Sequence, residues 1–171
     1  MMTSFHTLAT NRYSVRKFKS TPVEQDKIDK ILDVARIAPT AKNAQPQRIK
    51  IIKTDEDIAK IDQCTPGRFG APLVFLVCYD ESVSWTRATF DGQNSGETDA
   101  AIVVTHMMLQ ACDLGLGSLY VKHFDPAKTI ELFGLKKGII PSALLVVGYA
   151  AEDSKPSKMH FDKKPLSDIL L

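Results

Sequence analysis

The run of residues that most constrains the fold is TDAAIVVTHMMLQACDL, which spans residues 98–114. Its side chains are apolar on nearly every side, and a helix tolerates that pattern only when protein surrounds it. Gly115 follows directly and supplies the left-handed residue that commonly ends a helix. The run therefore predicts a long core helix against which the rest of the chain packs.

Strand and helix signals alternate on both sides of this helix. RIKIIK predicts a short strand, and APLVFLVCY is too continuously apolar for a strand that faces solvent, so we expect it at the centre of a sheet. GSLYVKHF and ALLVVGYA predict two further strands. Between them, DPAKTIELFG predicts a helix that Asp125 caps, Pro126 begins and Gly134 ends. The order of these elements predicts an α/β or α+β sheet packed by helices.

An earlier helix is predicted where the sequence reads TPVE. Thr21, a following proline and then Glu24 have the form of a capping box, so the helix should begin there. Apolar residues then recur at helical spacing up to Pro39, which predicts one buried face. The residues of that face are Ile28, Ile31, Leu32, Ala35 and Ala38. The polar stretch 80–98 predicts instead a long loop or lid.

Composition limits the number of domains and the kinds of partner. With 171 residues, of which 44% are hydrophobic and 25% charged, the chain predicts a single domain over residues 1–171. The formal net charge of +2 does not favour a nucleic-acid partner. No secretory signal and no run as long as a membrane span is found, so we expect a cytoplasmic protein without a membrane partner.

Cysteine and histidine spacing argues against disulfide and metal chemistry. No CxxC pair and no short metal-ligand spacing is found, which predicts reduced thiols and no metal site. The residues concerned are Cys64, Cys78, Cys112, His6, His106, His123 and His160. GLGSLY is not a dinucleotide-binding fingerprint, because it follows a helix, precedes a strand and has Tyr120 in place of the third glycine. P-loop and GxSxG motifs are also absent from the sequence.

Three polar segments could hold a ligand. The first, NRYSVRKF, groups Arg12, Arg16 and Lys17 around a serine. The fixed fork of donors on arginine suits a phosphate, although these cations could equally form a solvated surface. The second, APTAKNAQPQR, contains amide side chains that both donate and accept, as a heterocycle with alternating carbonyl and N–H groups requires. It could also be a simple polar connection. The third, KPSKMHFDKKPL, should lie on the surface and matters only if the fold returns it to the first segment.

These motifs, in this order, resemble the nitroreductase-like family of FMN-dependent oxidoreductases, small-subunit type, over almost the whole chain. RYSVRKF resembles the family's R-R/H-S-x-R motif followed by an aromatic residue, and PTAKNAQP resembles its P-S/T-x-x-N-x-Q-P motif. The apolar helix leads into GLG, and a basic residue precedes Pro-Leu in KKPL, as in the family.

The resemblance implies an α+β fold, with a mixed, mainly antiparallel sheet flanked by helices around a buried central helix in three layers. It implies FMN as cofactor, NAD(P)H as electron donor, and reduction of nitroaromatic, quinone or similar electron-poor small molecules by a ping-pong hydride mechanism. It also implies a homodimer with FMN at the subunit interface. The alternatives are a reductase of activated alkenes or halogenated aromatics, and a non-catalytic protein that binds or stores flavin.

The resemblance also assigns residues to parts of the cofactor, with no catalytic side chain because flavin N5 carries the chemistry. For the phosphate it implies Arg12, Ser14, Arg16 and Lys163 as ligands, with Tyr13 supporting them through its backbone or ring. For the polar edge of the flavin ring it implies Asn43, together with Pro39, Thr40 and Gln45, all from the partner subunit. For the strand end near N5 it implies Lys122 and His123.

Several residues depart from the family pattern or lack an assigned role. Gln47 stands where the family often has an aromatic residue, and Lys163 replaces a common arginine. Trp85 is interpreted as a packing anchor or as a surface that stacks on substrate or flavin. Lys42 and Arg48 are expected to raise the positive potential near the ring. Loops 67–69 and 80–98 are expected to set specificity.

Overall fold

The computed structural model describes residues 4–171 and consists of a four-stranded sheet between two layers of helices. The helices are α1 (Phe5–Asn11), α2 (Gln25–Ile37), α3 (Asp55–Asp62), α4 (Gly96–Asp113) and α5 (Pro126–Phe133). The strands are β1 (Gln47–Ile52), β2 (Leu73–Asp80), β3 (Gly117–Val121) and β4 (Ile139–Gly148). Short 3-10 turns occupy Ala41–Asn43, Lys158–His160 and Leu166–Asp168.

The sheet has the order β1-β2-β4-β3, and each neighbouring pair is antiparallel. The residues of β2 from Leu73 to Cys78 are all buried, so the prediction of a central strand is confirmed. A parallel bridge joins Ser14 to Ser118 at the β3 edge. The predicted α+β fold with a mixed, mainly antiparallel sheet is therefore confirmed.

The period of two along each strand divides the core between the two faces of the sheet. Phe75 and Leu145 pack with α2 and α4, whereas Leu76 and Val146 pack on the side of α3 and α5. The result is the predicted three-layer arrangement.

The core helix α4 begins two residues earlier than predicted and ends at Asp113. Gly115 has φ +74°, and the Leu116 N–H donates to the Ala111 carbonyl at 2.8 Å, so the left-handed stop is confirmed. One face of α4 is buried against the sheet and α2. The opposite face is only half-buried in the single chain, and it carries Ala101, Ile102, His106, Leu109 and Cys112.

The predicted capping box at Thr21 is wrong. Helix α2 begins at Gln25 with Glu24 at the N-cap position, and among the described residues no side chain hydrogen-bonds to the free N–H groups of its first turn. The Glu24 carboxylate instead accepts a hydrogen bond from the Tyr149 hydroxyl at 2.7 Å, a contact with the far end of the chain. The buried face of α2 is confirmed, since Ile28, Ile31, Ala35 and Ala38 are buried and Leu32 packs partly buried against them.

Helix α5 matches its prediction closely. The Asp125 carboxylate accepts from the Lys128 N–H at 3.0 Å, and Gly134 ends the helix at φ +58°. Helices α1 and α3 were not predicted, because α1 buries no residue and α3 is a short, acidic helix with one buried side chain, Ile61.

Within residues 4–171, no helix is both long and apolar enough to cross a bilayer. The same residues contain no group of three or more His, Cys, Asp or Glu side chains that could hold a metal ion. The three cysteines are free thiols in the structure.

Candidate functional site

The segment after α1 is fixed along the edge of β3. The Val15 N–H donates to the Ser118 carbonyl at 3.0 Å, and the Val15 side chain is only 2% exposed. Gly117 makes this approach possible, because a Cβ there would lie 2.7 Å from Val15 Cγ2. The second glycine of GLG therefore has a steric role, and the chain on either side of Val15 is held in place.

The tail after β4 returns to the same segment. The Lys19 N–H donates to the Tyr149 carbonyl at 2.8 Å, and the Ala151 N–H donates to the Lys17 carbonyl at 2.9 Å. The Lys17 ammonium forms an ion pair with Asp153, and this hydrogen bond lowers the pKa of the Asp153 carboxyl. The fold thus returns the basic tail to the first segment, which was the condition for the tail to contribute to a ligand site.

Further along the tail, aromatic and polar contacts continue this packing. The Tyr13 hydroxyl donates to Ser154 Oγ at 3.4 Å, and its ring meets His160 edge-on with 6.2 Å between centroids. These contacts bring Lys163 beside the opening segment.

The two segments enclose a cavity of about 220 Å³, here called the anion pocket. It is lined by Arg12, Tyr13, Ser14, Arg16, Ser157, Met159, His160 and Lys163. The four predicted phosphate ligands and Tyr13, which was predicted to support them, are therefore brought together. The sequence reasoning did not find Ser157, Met159 and His160, although they lie in the tail motif that it singled out.

The charge in the anion pocket is positive and is not neutralised by the chain. Among the described residues, Arg12, Arg16 and Lys163 form no salt bridge, and the lining contains no carboxylate. Arg16 Nη1 donates weakly to the Ser14 carbonyl at 3.4 Å, and Arg12 Nη1 lies 3.7 Å from Met108 Sδ. Such an arrangement suits an anion with about two negative charges, such as a terminal phosphate.

A larger cavity of about 890 Å³ shares Arg12, Tyr13, His160 and Lys163 with the anion pocket. Its other walls come from α1 and the tail, and they include Phe5. A ligand held by its anionic group in the small pocket therefore has space for an organic part beside it.

Residues 38–46 of the second predicted segment form a separate loop at the start of α4, here called the Asn43 loop. Lys42, Asn43 and Gln45 have φ between +51° and +54°, and each left-handed residue costs about 1–2 kcal/mol, somewhat less for asparagine. The Thr40 hydroxyl accepts from the Gln45 N–H at 3.0 Å and helps to hold this backbone. Pro39, Asn43 and Gln45 are exposed, so the loop presents polar groups to the outside of the chain.

The buried carboxylate of Asp99 anchors this loop to the first turn of α4. Its Oδ1 accepts from the Ala41 N–H at 2.9 Å, and its Oδ2 accepts from the Ser95 hydroxyl at 2.7 Å. Sequence reasoning did not find Asp99. The available signal was an acidic residue inside an otherwise apolar helical run.

The two segments contact opposite halves of α4, which has 18 residues and is about 27 Å long. Arg12 meets Met108 in the C-terminal half, whereas the Asn43 loop is tied to Asp99 near the N-terminus. The structure therefore does not bring Pro39, Thr40, Asn43 and Gln45 into the anion pocket of their own chain.

Lys122 and His123 lie at a third position, just beyond β3, and both are exposed. The Lys122 ammonium is bound by the Glu97 carboxylate and the Ser142 carbonyl. The His123 carbonyl accepts from the Thr65 hydroxyl at 2.6 Å. Because Thr65 leads into loop 67–69, that loop lies next to the strand end.

The predicted loop 80–98 is shorter in the structure, because Asp80 ends β2 and residues 96–98 form the start of α4. Residues 81–95 between them are irregular, and a bridge joins Thr86 to Asn94. Together with Ala41 and the start of α4, Trp85 lines a cavity of about 330 Å³. Arg48 is paired with Asp80 at 3.1 Å, so much of its charge is compensated. Gln47 donates to the Ala35 carbonyl at 3.2 Å, so an amide hydrogen bond occupies the position where the family often has an aromatic ring.

Comparison with known proteins gives consistent matches. A model of the nitroreductase family matches residues 9–68 and 64–149. The crystal structure of a nitroreductase family protein from Clostridium difficile 630 superposes with a TM-score of 0.93 at 41% identity, covering 99% of this chain and 98% of that one.

Two further relatives carry more specific names. An FMN-dependent nitroreductase from Clostridium difficile R20291 superposes with a TM-score of 0.74 at 25% identity, covering 88% of this chain and 90% of that one. A putative NADH dehydrogenase/NAD(P)H nitroreductase from Methanothermobacter thermautotrophicus is 27% identical over 89% of this chain and 83% of its own length.

Proposed function

This chain belongs to the nitroreductase family, and from that premise we propose that it is an FMN-dependent NAD(P)H oxidoreductase that reduces nitroaromatic, quinone or similar electron-poor acceptors. The observation that carries the proposal is the anion pocket, where cations from both ends of the chain meet without a carboxylate. The similarity to proteins named FMN-dependent nitroreductase and putative NADH dehydrogenase/NAD(P)H nitroreductase supports the same function.

The residues of the anion pocket fit the phosphate of FMN. A terminal phosphate carries about −1.5 to −2 charges at neutral pH, which Arg12, Arg16 and Lys163 balance. The Ser14 hydroxyl adds a further donor. Tyr13 braces the tail through Ser154 and His160, so its role here is to keep Lys163 near the two arginines.

We assign the polar edge of the flavin ring to the partner subunit's Asn43 in a homodimer. Within one chain the Asn43 loop and the anion pocket contact opposite halves of α4. Two copies related by a twofold axis and packed antiparallel along α4 would place the loop of one subunit beside the pocket of the other. Pro39, Thr40 and Gln45 would shape the same edge.

Unburied apolar surface supports the dimer. The outer face of α4 is half-buried, and Leu166, Ile169 and Leu170 in the tail are 65–68% exposed. Burying a face of about 800 Å² on each subunit would be enough for a stable interface.

When bound, FMN supplies the redox chemistry, taking a hydride from NAD(P)H and delivering it to the acceptor. The chain binds and orients the cofactor and shapes the opening above it. Lys122 and His123, at the exposed strand end assigned to N5, leave that opening accessible to solvent, so no side chain is required as proton donor. Donor and acceptor occupy the same opening in turn, which gives ping-pong kinetics.

We further propose that residues 1–171 act as one FMN-binding domain, since segments near both ends line the same pocket. The free thiols at Cys64, Cys78 and Cys112 support a cytoplasmic location.

The test is to purify the protein, load it with FMN and remove the unbound cofactor. We expect a yellow protein with one FMN per chain, whose visible absorbance bleaches when NADH or NADPH is added under argon. An acceptor panel then restores the colour and ranks nitroaromatics and quinones against activated alkenes and halogenated aromatics. Failure to retain FMN refutes the proposal. Retention without bleaching by either donor indicates a flavin store.

A further inference from the structure

Asp99 is a buried carboxylate whose surroundings point to a function beyond helix packing. It is 2% exposed, and both of its oxygens accept hydrogen bonds, from the Ala41 N–H at 2.9 Å and from the Ser95 hydroxyl at 2.7 Å. A carboxylate is suited to this place because it accepts on both sides and sits in the first turn of α4, where the helix dipole favours negative charge.

The backbone that Asp99 holds is under strain. Lys42, Asn43 and Gln45 are all left-handed, and none of them is glycine. Residues in this region persist only where their surroundings determine them, and such strain collects at functional sites. Two side chains fix the loop at its two ends, Asp99 at Ala41 and Thr40 at Gln45.

We propose that Asp99 is a positioning residue that fixes the conformation in which Asn43 reaches the flavin carried by the partner subunit. This inference rests on the proposed function, because it takes Asn43 as a ring contact. In the dimer, Asp99 thus acts on the cofactor whose phosphate the other subunit holds. Asp99 thus influences binding of the flavin ring, whereas the cations of the anion pocket influence binding of the phosphate.

The main variants are Asp99→Ala and Asp99→Asn. Alanine removes both hydrogen bonds. Asparagine keeps them, because its carbonyl oxygen accepts from the Ala41 N–H and its amide donates to the Ser95 hydroxyl, which also accepts. Ser95→Ala is the matched control, since it removes the other partner of Asp99 and leaves the contact with Ala41.

A second route removes the same bond from the loop side. Ala41→Pro deletes the N–H that Asp99 accepts from, at the first position of a 3-10 turn where proline is tolerated. Thr40 before it is extended, with φ −132° and ψ 157°, as a residue before proline requires. This variant tests the proposal even if Asp99→Ala folds poorly.

The first measurement needs no cofactor. Hydrogen–deuterium exchange of the apoprotein should rise in peptides covering residues 38–46 in Asp99→Ala and Ala41→Pro, and stay unchanged in those covering residues 103–111. The second measurement is flavin affinity. Asp99→Ala and Ala41→Pro each lose the hydrogen bond between the Asp99 carboxylate and the Ala41 N–H, which orders the loop. The Kd should therefore rise about tenfold, for FMN and for riboflavin alike. The midpoint potential of the bound flavin should also shift, while Asp99→Asn and Ser95→Ala stay close to wild type.

The outcomes separate this inference from the proposed function. If wild-type protein takes up no FMN, the proposed function fails and Asp99 has no ring contact to position. If wild type binds FMN but Asp99→Ala and Ala41→Pro leave both affinity and potential unchanged, the inference is overturned. Faster exchange in the loop with unchanged affinity and potential assigns Asp99 a structural role only, which also overturns it.

Discussion

Replacing Arg16 by alanine tests whether the anion pocket binds phosphate. The Arg16 side chain is exposed, and within residues 4–171 its one hydrogen bond is the weak one to the Ser14 carbonyl at 3.4 Å. Removal of the Arg16 side chain should therefore change the free energy of unfolding little. The effect should appear in binding, because the pocket loses one of three cations that no carboxylate neutralises.

The size of the effect follows from the exposure of the group. A hydrogen bond to a charged partner contributes about 1.5–3 kcal/mol, and an exposed arginine belongs at the lower end of that range. A loss of about 1.4 kcal/mol raises the Kd for FMN tenfold. The Kd should also depend less steeply on salt in Arg16→Ala, because fewer charges are screened.

The assay is a titration of apoprotein with FMN and with riboflavin, followed by flavin fluorescence at fixed ionic strength. Riboflavin lacks the phosphate, so its Kd should not change in Arg16→Ala. Lys17→Ala is the matched control, since Lys17 follows Arg16 in the chain but is paired with Asp153 and does not line the pocket. The reasoning is refuted if riboflavin weakens as much as FMN, or if Lys17→Ala behaves like Arg16→Ala.

Three further predictions concern stability and thiol chemistry. In Gly96→Ala the new Cβ would lie 2.2 Å from the Tyr79 ring, so the free energy of unfolding should fall by about 2 kcal/mol. Circular dichroism should then show a lower melting temperature, and an unchanged one contradicts this prediction. Hydrogen bonding from Ser82 lowers the pKa of the Asp80 carboxyl in the folded state. The ionised carboxylate therefore stabilises the fold at pH values above its pKa in the unfolded chain, and this stabilisation is lost as the pH falls through its pKa in the folded chain. Urea midpoints should therefore fall less steeply in acid for Asp80→Asn than for wild type. Burial raises the pKa of the Cys78 thiol to about 12, so iodoacetamide at pH 8 should label it only after unfolding.

The central sheet and the core helix could be predicted from the sequence because their signals are local. The continuous apolar run of β2 indicates burial, and Gly115 indicates a left-handed turn, without reference to any distant residue. Both predictions are confirmed. The start of α2 could not be predicted in this way. Glu24 is bound to Tyr149, which is 125 residues away, and a capping motif read locally does not contain that contact.

The candidate site divides in the same way. The cations of the opening segment were found through a motif, but only the fold shows that the tail returns and brings Lys163 beside them. Asp99 was not found, because its role depends on a backbone N–H in a loop far from it in sequence. The charge of Lys122 was visible in the sequence, whereas its binding to Glu97 was not.

The cations of the anion pocket come from residues 12–16 and from residue 163, whereas the last strand of the sheet ends at Gly148. If FMN is held as we propose, proteolytic removal of the tail after Gly148 leaves every residue of the sheet and of α4 but takes away one of the groups that hold the phosphate. Release of flavin would then reveal such a cut even where the secondary structure of the remaining chain is unchanged.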